Sequence, residues 1–268
     1  IVLQWPWYLC LLAAMLFGAI WGALPGIFKA YLNINEVITA IMFNWIGLYM
    51  VNDIMYGKGK SPMYDLASTK TYSLRKAAPQ AMIPSLGMSE LFGKLQSVTI
   101  AIFIAIFFAI VVYIILNKTA FGYELRACGF NKNAARYAGI NEKRNIILAM
   151  MISGALAGVG AGLYYLSTVA EWDPQVSTAL PAMGFNGIST ALLACSNPIG
   201  TIFSSLFISY ITVGGTKLST QYYTKEIADV ITALIIYLCA FSLLFKNKIR
   251  ALLVGKAKRV SVGKGGDD

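Results

Sequence analysis

The side chains in this sequence that could do chemistry are a few polar groups inside long apolar stretches. Asn44 and Asn52 lie eight positions apart, on one face of a helix, while Asn186 and Asp229 occur singly in later stretches. An amide both donates and accepts hydrogen bonds, so it could bind an uncharged solute that carries hydroxyl groups or heterocyclic nitrogens. A hydrogen bond to a neighbouring helix would explain Asn44 and Asn186 equally well, because a polar group in hydrocarbon needs a partner. We expect Asp229 to be interfacial and structural.

Most enzyme chemistries are excluded by what the sequence lacks. It has no histidine, and its four cysteines are isolated, without CxxC spacing, so zinc sites and Ser-His-Asp catalysis are not expected. The cysteines fit the role of small buried hydrophobic residues. No GxxxxGK[ST] phosphate loop occurs, so the chain is not expected to hydrolyse ATP or to bind a cofactor or metal itself.

Composition indicates a membrane protein. Of 268 residues, 57% are hydrophobic and only 13% are charged, with a mean hydropathy of +0.65, whereas soluble domains carry roughly 25% charged residues. Apolar runs near 20 residues recur along the chain, which predicts an all-α, polytopic helical membrane protein. The net charge of +10 resides in loops and the tail, so nucleic acid is not an expected partner.

The elements that must position the polar groups are about seven transmembrane or partly re-entrant helices in one domain, 1–268. The first is expected to end at Pro25-Gly26, and Asn35 can cap the second. Because the chain begins at Ile1 beside a hydrophobic run and without a charged segment, we expect one or more N-terminal helices to be missing. The predicted spans are 7–26, 36–55, 98–116, 145–169, 184–195, 199–213 and 227–245.

Charge predicts the orientation of these spans. Segment 117–144 holds six Lys/Arg and the tail 246–268 holds seven, so both are expected in the cytoplasm. Four spans connect these two segments, and an even number of crossings is consistent with both lying in the cytoplasm. The loop at 57–96 then falls outside. That loop also holds six Lys/Arg, which conflicts with its placement. Long segments translocate with less regard to charge, so we predict an extracytoplasmic loop.

The segment at 184–195 is too short to cross a membrane. Twelve helical residues rise about 18 Å, against a hydrocarbon core of about 30 Å. The preceding stretch 174–181 is polar and contains two prolines. Such a broken segment is either part of a translocation site or an outer loop followed by a short tilted helix. The sequence leaves both interpretations open.

A charged island interrupts the apolar chain and leads into a glycine-rich helix. Residues 120–144 are polar and basic, and the apolar helix that follows carries Gly154, Gly158 and Gly162 at spacings of four. Small residues at this spacing allow two helices to approach closely. The run of glycines at 158–162 follows no predicted strand, so packing is favoured over nucleotide binding.

The same island carries a family resemblance that extends over nearly the whole chain except 57–96. Thr119-Ala120-Phe121-Gly122, Leu125-Arg126-Ala127 and Gly129-x-Asn131-x-x-Ala134-Ala135-x-x-Ala138-Gly139-Ile140 are similar to the cytoplasmic loop of bacterial ABC-importer permeases of the branched-chain amino acid, ribose and nucleoside group. Further matching segments are Ser153–Gly158, Asn35–Asn44 and Gly184-Phe185-x-Gly187-Ile188, of which the last two most resemble the nucleoside and simple-sugar branch. Asn186 departs from the Thr or other small polar residue that the group often has.

The resemblance implies a permease subunit, multi-pass in the bacterial inner membrane, that is a transport component and not an enzyme. Implied partners are cytoplasmic ATP-binding subunits carrying ATP and Mg, a second permease subunit, an extracytoplasmic substrate-binding protein and membrane lipid. Docking onto the ATPase is implied for a coupling helix at 129–141. Its residues are Gly129, Asn131, Ala134, Ala135, Arg136, Gly139 and Ile140, and the substrate pathway is assigned to Asn44, Phe185 and Asn186.

The expected solute is a purine or pyrimidine nucleoside, with a simple sugar such as ribose as the alternative. A secondary transporter or channel that needs no ATPase is a further alternative. Whether two copies of this chain pair, or this chain pairs with a different permease, stays open.

Overall fold

The computed structural model describes residues 3–56, 63–65, 70–85, 99–168, 171–172 and 180–217, with isolated positions between 227 and 238. The regular secondary structure of the described chain is helical apart from two strands of two residues each, Tyr64–Asp65 and Lys70–Thr71, which pair antiparallel. It divides into two compact units, 1–181 and 182–268. The predicted span at 227–245 lies largely outside the described residues, and the tail 246–268 lies outside them entirely.

The first unit contains most of the helices. They are α1 (Trp7–Leu32), α2 (Glu36–Tyr56), the short α3 (Leu74–Ala77) followed by a 3-10 turn (Pro79–Ala81), α4 (Ala101–Lys118), α5 (Ala120–Phe130), α6 (Lys132–Tyr137) and α7 (Glu142–Leu166). The predicted loop 117–144 is thus largely helical. Within the described residues, five helices of the chain are long and apolar enough to cross a membrane: α1, α2, α4, α7 and α9 of the second unit (Pro198–Lys217).

The predicted end of the first span at Pro25-Gly26 is wrong. Helix α1 continues through both residues to Leu32, and Asn33 then ends it in the left-handed conformation at φ 52°. Proline is tolerated inside membrane helices where neighbouring structure compensates for the lost backbone hydrogen bond. Here Pro25 and Gly26 are buried, and a Cβ at Gly26 would lie 3.2 Å from the Cα of Ile147 on α7. Packing against α7 therefore keeps α1 helical where the local sequence predicts a break.

Helices α1 and α7 cross at a glycine-lined contact. A Cβ built on Gly22 would lie 2.6 Å from the carbonyl oxygen of Met150, and one on Gly154 would lie 2.8 Å from the Cα of Gly22. Gly18 and Gly158 are equally enclosed by the facing backbone. At Gly162 a Cβ would meet only side chains, at 3.1 Å or more. Gly154 and Gly158 thus lie where the two backbones come closest, and Gly162 lies at the margin.

The start of α1 and the end of α7 lie at the same end of the first unit. The backbone N–H of Ile83 donates to the carbonyl of Leu166 (3.2 Å), and that of Thr71 donates to the carbonyl of Trp172 (2.9 Å). The described parts of the predicted outer loop, 63–65 and 70–85, therefore lie at this end. Helices α5 and α6 lie at the other end, where α4 finishes and α7 begins. The described part of 57–96 and the segment 117–144 thus lie at opposite ends of these helices.

In the second unit, α8 (Ala182–Leu193) and α9 form a helical hairpin. The turn between them places Cys195 and Ser196 at positive φ, and the Asn197 side chain caps α9 by accepting from the backbone N–H of Ile199 (3.0 Å). The Ser204 hydroxyl donates to the carbonyl of Thr190 (2.8 Å), which ties the two helices together. Helix α8 has 12 residues, the length expected for the short segment, while residues 173–179 of the predicted broken stretch lie outside the described residues.

Candidate functional site

The predicted helix at 129–141 is divided by Asn131. Gly129 belongs to the last turn of α5, and a separate helix, α6, contains Lys132–Tyr137. The Asn131 side-chain oxygen accepts from the backbone N–H groups of Asn133 (3.0 Å) and Ala134 (3.1 Å). Because an N-cap residue lies outside the helix that it caps, this side chain both starts α6 and interrupts the predicted longer helix.

The far end of α6 is fixed by a Schellman motif. Gly139 lies at φ +80°, its N–H donates to the carbonyl of Arg136, and the N–H of Ile140 donates to the carbonyl of Ala135, both at 3.0 Å. Left-handed backbone at this position suits glycine. Helix α6 is therefore held at both ends by Asn131, Gly139 and Ile140, which gives it a defined shape despite its length of 6 residues.

The surface of α6 is small and polar. Gly129, Ala134 and Arg136 are exposed, Ile140 is half-buried, and Ala135 is buried at 4% exposure. Ala135 therefore anchors α6 to the rest of the unit, and the other predicted docking residues form or frame its outer face.

Two aromatic side chains beside α6 were missed by the sequence reasoning. Phe130 is the last residue of α5, and Tyr137 is the last residue of α6. Their exposed fractions are 91% and 94%. Exposed apolar groups next to charged residues are typical of interaction sites. Their position in a polar, basic segment was the signal in the sequence, because lipid cannot cover an aromatic side chain there as it does within a span.

The same end of the unit is basic. Lys132, Arg136, Lys143 and Arg144 are exposed, and the ammonium of Lys143 lies 4.9 Å from the centre of the Tyr31 ring. Lys29 forms an ion pair with Glu36 where α1 passes into α2. A surface with this excess of cations favours a partner with an acidic rim. We call the surface formed by Phe130, α6 and these four basic residues the α6 surface.

The residues predicted for a substrate pathway are divided between the two units. Asn44 is exposed on α2, whereas Phe185 is 57% exposed and Asn186 half-buried on α8. The Ser189 hydroxyl donates to the carbonyl of Phe185 (3.0 Å), and the Thr190 hydroxyl donates to that of Asn186. The structure thus places Phe185 and Asn186 together on one short helix, with Asn44 in the other unit. Asn52 accepts a hydrogen bond from the indole Nε1 of Trp172 (3.0 Å), which matches a structural role.

Among the described residues, no group of three His, Cys, Asp or Glu side chains is arranged to hold a metal ion.

Comparison with known proteins identifies similar sequences over nearly the whole chain. The family described as "Branched-chain amino acid transport system / permease component" matches residues 1–240. The nucleoside ABC transporter permease protein NupB of Lactococcus lactis is 32% identical over 96% of this chain and 69% of its own length. The guanosine ABC transporter permease protein NupP of Bacillus subtilis is 31% identical over 94% and 68%. The glucose ABC transporter permease protein TsgB13 of Haloferax volcanii is 25% identical over 89% and 62%. No solved structure matches.

Proposed function

Because this chain belongs to the permease component family of branched-chain amino acid transport systems, we propose that it imports nucleosides with energy from separate ATP-binding subunits. Membership of this family makes the chain a multi-pass transport subunit and not an enzyme. The proposed complex contains the ATP-binding subunits with their ATP and Mg, a second permease subunit and an extracytoplasmic substrate-binding protein. In this complex the α6 surface docks onto the ATPase, and closure of the ATPase pair moves α6 and, through it, the spans.

The observation that carries the docking proposal is the construction of α6. A six-residue helix is unstable by itself, yet here it is capped by Asn131, closed by Gly139 and anchored by Ala135. Its outer face nevertheless contacts little of the described chain. A short helix that is rigidly held and presented to solvent can transmit a displacement, because it moves as a body when its partner moves.

Docking is tested by charge reversal with a matched control. Arg136→Glu changes the charge of the α6 surface, and Lys70→Glu makes the same change at the opposite end of the unit, where Lys70 is also exposed. We expect Arg136→Glu to weaken co-purification of the ATP-binding subunit about fivefold or more at low salt, with a smaller effect at high salt. Equal behaviour of the two variants would remove the α6 surface from the interface.

The nucleoside assignment rests on the relatives. Two relatives that are at least 30% identical are described as nucleoside and guanosine permeases, and the amides of Asn44 and Asn186 have the hydrogen-bonding character that a nucleobase or ribose needs. A simple sugar is the second candidate, because the Haloferax relative is a glucose permease and a Haemophilus influenzae relative, 29% identical, is a galactose/methyl galactoside permease.

Uptake measurements separate the two solute classes. In a strain deleted for this gene, we expect uptake of labelled guanosine to fall to background and to return with the plasmid-borne gene. Excess unlabelled uridine or adenosine should compete, and excess glucose or galactose should not. Competition by the sugars alone would favour the sugar alternative, and guanosine uptake that survives deletion would contradict the nucleoside proposal.

A further inference from the structure

Asn145 is the most deeply buried large polar side chain in the described part of the molecule. It lies in the first turns of α7, with 1% of its surface exposed. Its amide nitrogen Nδ2 donates to the carboxylate oxygen Oε2 of Glu124 (3.1 Å) and lies 3.7 Å from the sulfur of Cys128. Glu124 and Cys128 are four positions apart on one face of α5. One side chain of α7 therefore holds two successive turns of α5.

Within the described part of the chain, only one of the two polar atoms of the Asn145 amide has a hydrogen-bond partner. The amide oxygen Oδ1 of Asn145 is buried and has no hydrogen-bond partner among the described residues. Rotating the amide by 180° would point Oδ1 at the Glu124 carboxylate, where two acceptors would repel, so the orientation with Nδ2 toward Glu124 is favoured. A buried acceptor without a partner lowers the stability of the folded state, and an apolar residue such as leucine at this position would avoid that cost. The amide is therefore explained by the contact that it makes with α5, and not by packing alone.

The contact joins two parts of the first unit, each of which is closely packed internally. On one side, α5 leads directly into α6 and is fixed to the end of α4 at Gly122, whose Cβ position would lie 2.5 Å from the carbonyl of Leu116. On the other side, α7 is locked to α1 by the glycine crossing at Gly22 and Gly154. The connection between α6 and α7 along the chain is the single turn at Gly139 and Ile140.

We propose that Asn145 and Glu124 are positioning residues that fasten α5 to α7, so that displacement of the α6 surface moves the α1–α7 pair. This inference rests on the proposed function, because it assigns the route by which ATPase movement reaches the spans. Without the fastening, α5 and α6 can follow the ATPase together with α4 while the α1–α7 pair stays behind, so ATP is hydrolysed without import.

The experiment compares Asn145→Asp, Glu124→Gln and the two changes together. Asn145→Asp is isosteric and sets two carboxylates against each other. Glu124→Gln keeps an oxygen that accepts from Asn145, and in the double variant the new amide donates to the new carboxylate. In proteoliposomes with the complete complex, we expect Asn145→Asp to lower labelled guanosine imported per ATP hydrolysed by about tenfold. Glu124→Gln should stay near the wild type, and the double variant should recover to within about twofold.

Thiol labelling tests the contact independently of transport. Cys128 is buried against Asn145 and Cys195 is exposed in the second unit, so we measure N-ethylmaleimide labelling of both by peptide mass spectrometry on the purified chain. Asn145→Asp should accelerate labelling of Cys128 about tenfold, the double variant should restore slow labelling, and Cys195 should label equally throughout.

The outcomes distinguish this inference from the proposed function. If the wild-type complex imports no guanosine, the proposed function fails, and unchanged Cys128 labelling across the variants would separately overturn the contact. If labelling responds but the import-to-ATP ratio of Asn145→Asp equals that of the wild type, the contact is structural only and the positioning role is refuted. A fall of uptake and ATP hydrolysis in the same proportion would refute it as well.

Discussion

At the scale of single residues, the α6 surface changes which side chains are expected to provide binding energy. The sequence resemblance pointed to Gly129, Ala134 and Ala135, yet Ala135 is buried and the glycine and alanine present little area. Phe130 and Tyr137 present almost their whole side chains to solvent. Aromatic residues dominate the energetics of protein interfaces once a partner excludes water from them. In the proposed docking, the small residues would allow close approach, and the aromatic pair would supply affinity.

We therefore predict that Phe130→Ser and Tyr137→Ser each weaken binding of the ATP-binding subunit by about 2 kcal/mol, roughly 30-fold. Because both side chains are exposed, folding and membrane insertion should change little. Affinity is measured with the detergent-purified permease and its ATPase. Tyr210→Ser is the control, because Tyr210 is 80% exposed on α9, a candidate span of the second unit. Wild-type affinity in both α6-surface variants would contradict the prediction.

At the scale of elements, the crossing of α1 and α7 shows what local sequence could and could not predict. The glycine spacing on α7 was visible, and it indicated a closely packed helix. The matching row on α1, which includes Gly18, Gly22 and Gly26, was present too, but Pro25 beside it pointed to a helix end. Only the packed partner explains why the helix continues. The same limit applies to α6: Asn131 and Gly139 were assigned to a docking helix without being recognised as its two ends, and the exposure of Phe130 depends on tertiary structure.

The crossing makes a prediction with a control on the same helix. A Cβ at Gly154 meets backbone atoms of Gly22 that cannot yield, whereas a Cβ at Gly160 would meet no described atom within 4 Å apart from its chain neighbours and the nearby backbone of its own helix. Gly154→Val should destabilise the folded permease by about 1–3 kcal/mol or more, and Gly160→Val should not. Thermal unfolding of the purified protein, followed by size-exclusion chromatography, measures both. Equal loss of stability would show that valine itself disturbs the helix, irrespective of the crossing.

At the scale of the whole molecule, the ends of the helices narrow a conflict between two basic segments that charge left open. Segments 57–96 and 117–144 each hold six Lys/Arg, so the positive-inside rule by itself assigns both to the cytoplasm. In the first unit, however, the described part of 57–96 contacts the end of α7 through Ile83 and contacts Trp172, beyond that end, through Thr71. Helix α6 instead precedes the start of α7. A helix that spans the membrane cannot have both ends on one side, so one of the two segments must translocate.

We predict that 57–96 is the translocated segment, because the proposed ATP-binding subunit would lie in the cytoplasm and 117–144 carries the α6 surface. Lys76 and Asn133 are both exposed and can be changed to cysteine one at a time in a background whose native cysteines are replaced by serine. A membrane-impermeant maleimide should label Lys76→Cys in cells with an intact inner membrane, and Asn133→Cys only after permeabilisation. The reverse pattern would place α6 outside, where no ATP-binding subunit could reach it, and would overturn the docking proposal together with the orientation.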